Sequence, residues 1–212
     1  MDTLFSENGC PWEKAQTHQS IRADLLEESY EVAEAIDNND MSALKEELGD
    51  LLLQVIMHSR IAEAKAYFNL DDVMDQLSEK LISRHSHIFG NDEAKTPEEA
   101  LQSWEDNKMR EKAILTPIEN MQAVPKALPA LVRAQKVIKR SDKDFAENFS
   151  DKTAFNEIKD LIDNLQNNGS KEVQLEIIGN MLFLIAQIST KKQINVEFAL
   201  TNSVQTFINS FM

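Results

Sequence analysis

The sequence predicts an all-α protein, a helical bundle built as two tandem copies of one unit, the second degenerate. Three observations carry this. Apolar residues recur at spacings of three and four, the period of a helix with one face on a core, and the Val, Ile and Thr alternation that strands need is nearly absent. Only five Gly and five Pro occur, with long proline-free stretches between the prolines. Sliding the chain 130 residues along itself pairs Glu27 with Glu157, Glu46 with Glu176, Gly49 with Gly179, Leu52 with Leu182 and Ser59 with Ser189, and superposes the polar turns 37–40 and 167–170.

The first helix carries Ile21, Leu25, Leu26, Val32, Ala33 and Ile36 on one stripe. Asp37-Asn38-Asn39-Asp40 interrupts it, and Ser42 is the expected N-cap of the next helix. That helix carries Leu44, Leu48, Leu51, Leu52, Val55 and Ile56; a third carries Val73, Leu77, Leu81 and Ile82. Residues 91–96 break the pattern, and Thr96-Pro97-Glu98-Glu99 reads as an N-cap, an N1 proline and an acidic first turn. Pro117, Pro125 and Pro129 mark a linker, 116–130, between a first domain, 1–115, and a second, 131–212. Helices are expected after it over 131–146, 152–166, 171–189 and 195–211.

The 212 residues carry a net charge of −14, which disfavours a nucleic-acid or anionic-membrane partner, since both need clustered positive charge. The one cysteine, Cys10, excludes an intramolecular disulfide and a cysteine cluster for zinc, and nothing in its neighbourhood makes it a nucleophile. Residues 1–5 lack the basic and apolar regions of a signal peptide. The longest strongly apolar run, Met181 to Ala186, is too short to cross a bilayer. A cytoplasmic protein is the expectation.

The densest chemistry lies between Asp24 and Asp50, where ten carboxylates accompany a single cation, Lys45. Glu28 and Glu31 are i,i+3 on one helix, and Glu47 and Asp50 are i,i+3 on the next, so each pair shares a face. A short turn makes the helices antiparallel neighbours, and the four carboxylates can converge between them. Leu25, Leu26 and Val32 on one side, and Leu48, Leu51 and Leu52 on the other, frame them with apolar surface. Four like charges there are costly unless a cation neutralises them, and oxygen-only ligands select Mg²⁺ or Mn²⁺ over zinc. The competing reading is an ordinary solvated acidic face.

Around this cluster stand Gly9-Cys10-Pro11-Trp12-Glu13-Lys14, Gln16-Thr17-His18, Leu26-Glu27-Glu28-Ser29-Tyr30-Glu31 and Glu46-Glu47-Leu48-Gly49-Asp50. Downstream lie Arg84-His85-Ser86-His87-Ile88-Phe89, then Trp104 to Lys108, and Leu128-Pro129-Ala130-Leu131-Val132-Arg133-Ala134-Gln135-Lys136. Together these resemble the MazG family of nucleoside triphosphate pyrophosphohydrolases over the whole chain, most closely over residues 8–140. The resemblance implies an all-α, dimeric, Mg²⁺-dependent enzyme that converts NTP to NMP and diphosphate. By motif position it implies Glu28, Glu31, Glu47 and Asp50 as metal ligands, Lys80 and Arg84 at the triphosphate, and Trp104 and Lys108 at the nucleotide.

Electrostatics constrains that reading. One Mg²⁺ among four carboxylates leaves a net charge of about −2 against about −4 on a triphosphate, so further cations must serve the substrate. Lys80, Arg84 and Lys108 are the candidates, and Arg suits a bidentate phosphate contact. Glu27 or Glu46 is the candidate general base, and spacing does not choose between them. A non-catalytic nucleotide-sensing or protein-interaction module, and a narrower dUTP or dCTP pyrophosphohydrolase, stand as alternatives.

In the second copy Glu28, Glu31, Glu47 and Asp50 become Ile158, Leu161, Ile177 and Asn180. After a four-residue shift, Lys80 and Arg84 become Thr206 and Ser210. That copy is therefore expected to be scaffold or a dimerisation element. His85 and His87 read as a cap at a helix end, His58 as a core-edge residue and Trp12 as an anchor for the N-terminal loop; His18 stays unassigned.

Overall fold

The structure, a computed structural model, describes residues 2–114, 116–141, 150–167 and 169–211, and every regular element among them is a helix. The chain divides into two compact units, Met1–Trp104 and Glu105–Met212.

The first unit begins with two short helices, α1 (Asp2–Phe5) and α2 (Pro11–Ala15), followed by α3 (Arg22–Asp37), α4 (Met41–Glu63), α5 (Leu70–Arg84), α6 (Ser86–Phe89) and most of α7 (Pro97–Glu111). α3 and α4 pack as a hairpin. Asn39 at its turn adopts φ 53°, and the Asp40 N–H returns to the Ala35 carbonyl at 3.0 Å, which satisfies an open carbonyl at the end of α3. Asp40, not Ser42, is the N-cap of α4: its Oδ1 accepts from the N–H groups of Ser42 and Ala43 at 3.0 Å each. α4 starts at Met41, so Ser42 already lies inside it, and a carboxylate at the cap also meets the positive end of the helix dipole. Asn69 and Asp72 form a capping box on α5, and Thr96 Oγ1 caps α7 by accepting from the Glu99 N–H at 3.2 Å.

Ile21, Met57 and Ile61 make the buried centre of this unit, with Phe5 against them. Arg60 on α4 pairs with Asp2 at 3.2 Å and lies over the Phe5 ring at 5.7 Å. These contacts, and not Trp12, fasten the N-terminal segment. Trp12 is 60% exposed, because the apolar core is already closed by Phe5 and Ile21.

The second unit contains α8 (Pro117–Gln122), α9 (Ala130–Lys139), α10 (Asp151–Asn167), α11 (Lys171–Lys191) and α12 (Val196–Asn209). The stretch 116–130 expected as a linker thus holds a helix and the buried Val124. Its prolines start helices and do not break them: Pro117 sits in the first turn of α8 behind a Thr116–Glu119 capping box, and Pro129 precedes α9. Residues 142–146, expected to extend α9, lie outside the described residues. α11 is central and packs on α9, α10 and α12. Gln135 of α9 holds the turn before α12, donating to the Ile194 carbonyl at 2.8 Å and accepting from the Val196 N–H at 3.2 Å.

α11 is long and apolar enough by length and composition to cross a membrane, which the six-residue run Met181–Ala186 does not suggest. Here Ile177, Leu184, Ala186, Gln187 and Ile188 along it are buried.

The internal repeat is visible in the helix starts. α11 begins 130 residues after α4, and α12 begins 126 residues after α5, the register and the four-residue shift read from the sequence.

Candidate functional site

α3 and α4 bring Glu28, Glu47 and Asp50 together: one oxygen from each lies within 4.8 Å of the others. Glu28 and Glu47 are half-buried. Glu31, one turn beyond Glu28, is outside that trio but hydrogen-bonds Glu28, and its charge acts on Glu47.

Burial first, then the charges of Asp50, Glu31 and Glu47 and the Glu31 hydrogen bond, hold Glu28 above its ordinary value near 4.5. Burial first, then Glu31, Glu46 and Asp50, do the same to Glu47. Such a set is chemically matched to a hard divalent cation, which would relieve both the crowding and the desolvation.

The folded-state values of Glu28 and Glu47 are raised, so folding favours their protonated forms. That stabilisation is complete below the unfolded value and is lost as pH rises through the folded values. The melting temperature without metal is therefore expected to rise as pH falls from neutrality towards the ordinary glutamate value near 4.5, and affinity for a divalent cation held by these carboxylates to weaken as protons compete for them. Thermal scans and Mn²⁺ titrations at several pH values check the two opposite slopes.

Glu27 and Glu46 are exposed. Lys80, on α5, donates to Gln76 Oε1 at 3.1 Å. Arg84, one turn on, lies over the Trp104 indole at 5.2 Å. The His85 ring meets Trp104 edge-on with centroids 4.7 Å apart. His85 Nδ1 lies 2.7 Å from the Leu81 carbonyl; a carbonyl only accepts, so this nitrogen carries the proton. His85 thus caps α5 and braces the indole at once. His85, His87, Ala100, Leu101 and Trp104 line a pocket of about 360 Å³. Lys108 pairs with Glu105 at 3.1 Å and belongs to the second unit, whereas the acidic trio, Lys80, Arg84 and Trp104 all belong to the first.

His58 is half-buried, as a core-edge residue, while the burial of Gln54 and the pairing of His58 with His18 are not evident from the sequence. Gln54 is buried, and His58 stacks on His18 with Nδ1 atoms 2.8 Å apart. The available signal was the four-residue step from Asp50 to Gln54 to His58.

The second unit answers what becomes of the ligand positions. Ile158 and Leu161 pack against the buried Ala154, Leu184 and Ile188, and Ile177 is itself buried. Apolar contact takes over where the first unit gathers carboxylates.

Residues 16–89 match the MazG nucleotide pyrophosphohydrolase domain. Over 211 residues the chain is 33% identical to the nucleoside triphosphate pyrophosphohydrolase/pyrophosphatase MazG of Thermotoga maritima, covering all of this chain and 81% of that protein. It is 46% identical over 136 residues to the uncharacterized protein YabN of Bacillus subtilis, covering 64% of this chain and 28% of that one. It is 42% identical over 134 residues to the nucleoside triphosphate pyrophosphohydrolase of Escherichia coli, covering 63% and 51%. The chain therefore spans about half or less of the length of the last two.

Proposed function

The chain belongs to the MazG family, and from that premise we propose that it is a Mg²⁺-dependent nucleoside triphosphate pyrophosphohydrolase, converting NTP and water to NMP and diphosphate. The observation that carries this reading is the convergence of Glu28, Glu47 and Asp50 within 4.8 Å across the α3–α4 hairpin. These three, with Glu31 beside them, are the residues that would hold the cation; Mn²⁺ fits the same donors. When bound, such a cation polarises a phosphoryl oxygen and lowers the pKa of a water.

The chain's own groups supply the rest. Lys80 and Arg84, one turn apart on α5, offer a point charge and a planar fork to the triphosphate. Trp104, already braced by Arg84 and His85, offers an indole face to the base. Glu27 or Glu46, exposed beside the ligands, accepts the proton of the attacking water.

The enzyme works as a homodimer. Supporting this, α4 leaves apolar side chains exposed, and α11 exposes the pseudo-equivalent ones to similar degrees: Leu52 56% and Leu182 45%, Val55 and Ile185 38% each. Large apolar side chains left exposed three residues apart on a helix are the kind of surface an interface covers.

The test is product analysis in H₂¹⁸O with Mg²⁺ and the eight common NTPs and dNTPs. Attack at the α-phosphorus is expected to give diphosphate and ¹⁸O-labelled NMP. Orthophosphate with NDP, label in the diphosphate, or no turnover from folded protein would each overturn the assignment. The panel also separates broad specificity from a dUTP or dCTP preference.

A further inference from the structure

The chemistry above leaves Gln54, His58 and His18 without a task. Asp50, Gln54 and His58 follow one another at four-residue steps and so share one face of α4. Gln54 is only 8% exposed, and its Oε1 has no hydrogen-bond partner. His58 is half-buried, its Nε2 also lacks a partner, and its ring lies parallel to His18 within 10°. Of the two facing Nδ1 atoms, 2.8 Å apart, one must donate and the other accept, so the two rings are locked as a pair. Burial, with the charge of His18, keeps the His58 imidazole below its usual value.

A buried carbonyl oxygen and ring nitrogen without partners forfeit their solvation, a cost that apolar residues of similar size avoid. The fold does not demand these groups. In the second unit the same two positions are Leu184 and Ile188, both buried, where they form a core cluster with Ala154. There the counterparts of Glu47 and Asp50 are Ile177 and Asn180. The polar stripe and the carboxylate set thus occur together in one copy and are missing together from the other.

Resting on the reading of Glu28, Glu47 and Asp50 as metal ligands, we propose that Gln54 is a positioning residue for Asp50, and that the His58–His18 pair fixes the turn of α4 behind it. A carboxamide carries two donors suited to a carboxylate one turn away and an acceptor for a ligand's hydrogen, which a leucine lacks. Groups that orient a ligand in this way set metal affinity without touching the metal.

The test copies the second unit into the first. Full-length Gln54→Leu, Gln54→Met and His58→Ile proteins are compared with wild type by Mn²⁺ titration followed by electron paramagnetic resonance, by metal-free melting and by kcat and KM. Gln54→Leu is expected to melt at or above wild type, to bind Mn²⁺ roughly tenfold more weakly, and to lose kcat with KM for the nucleotide unchanged. Gln54→Met, which keeps the length and loses the donors, should behave alike and decides the matter if the leucine variant does not fold. His58→Ile should weaken Mn²⁺ binding in the same direction. Wild-type Mn²⁺ affinity in folded Gln54 variants overturns the proposal, as does a loss of binding that merely follows a loss of folding in both. Unchanged affinity in His58→Ile removes the histidine pair from it. A wild type that binds no Mn²⁺ overturns the ligand reading itself, an outcome distinct from wild-type binding with unaffected variants.

Discussion

Replacing Glu47 by Gln, or Asp50 by Asn, is expected to cut diphosphate release by roughly a hundredfold or more and, in the absence of metal, to raise the melting temperature. The two effects have opposite signs because one cause underlies both. The carboxylates of Glu28, Glu47 and Asp50 crowd the α3–α4 seam, where burial first and their mutual repulsion next raise Glu28 and Glu47. Neutralising one relieves the metal-free fold and removes a charge that the cation requires. A loss of this order is what active sites show when one preorganised electrostatic group is taken away. Diphosphate assays and calorimetry on the same preparations check the pair of outcomes. Full activity in Glu47→Gln would place the chemistry elsewhere in the chain.

The second large effect concerns assembly. Leu52→Glu and Leu182→Glu place a charge on apolar surface that is exposed within each unit, so the units should fold as before while self-association fails. Burying a leucine is worth about 1.5–3 kcal/mol, so each substitution should weaken the dimer by roughly ten- to a hundredfold, and both together should abolish it. Light scattering decides: wild type should weigh twice the 24.1 kDa of one chain, and the double variant once. A wild type that is monomeric at assay concentration would sink the dimer reading and leave the exposed faces of α4 and α11 unexplained.

What the sequence revealed, and what it hid, divides by the range of the interaction. The helices were legible because an apolar stripe at period 3.6 repeats many times along each one. The Asn39 turn was legible for the same reason, since both stripes stop there, and the carboxylate pairs followed from i,i+3 spacing within a helix. The cap of α4 was misread because Asp40 and Ser42 are both good caps, and only the helix start at Met41 decides between them. The stacking of His18 on His58 and of Arg84 on Trp104 links residues many positions apart, which no local period encodes. The boundary between the units falls inside α7, where the helical pattern runs on unbroken.

The replacement of Glu28, Glu31 and Glu47 by Ile158, Leu161 and Ile177 gives the chain a built-in order of failure. A duplicated unit released from binding can exchange like charges for packing, a common gain in stability when function no longer forbids it. The second unit has become self-sufficient, with its hairpin held by its own side chains. On the proposed reading, the first unit calls for a cation to hold its carboxylates together. When divalent cations are withdrawn, the first unit is therefore expected to loosen before the second.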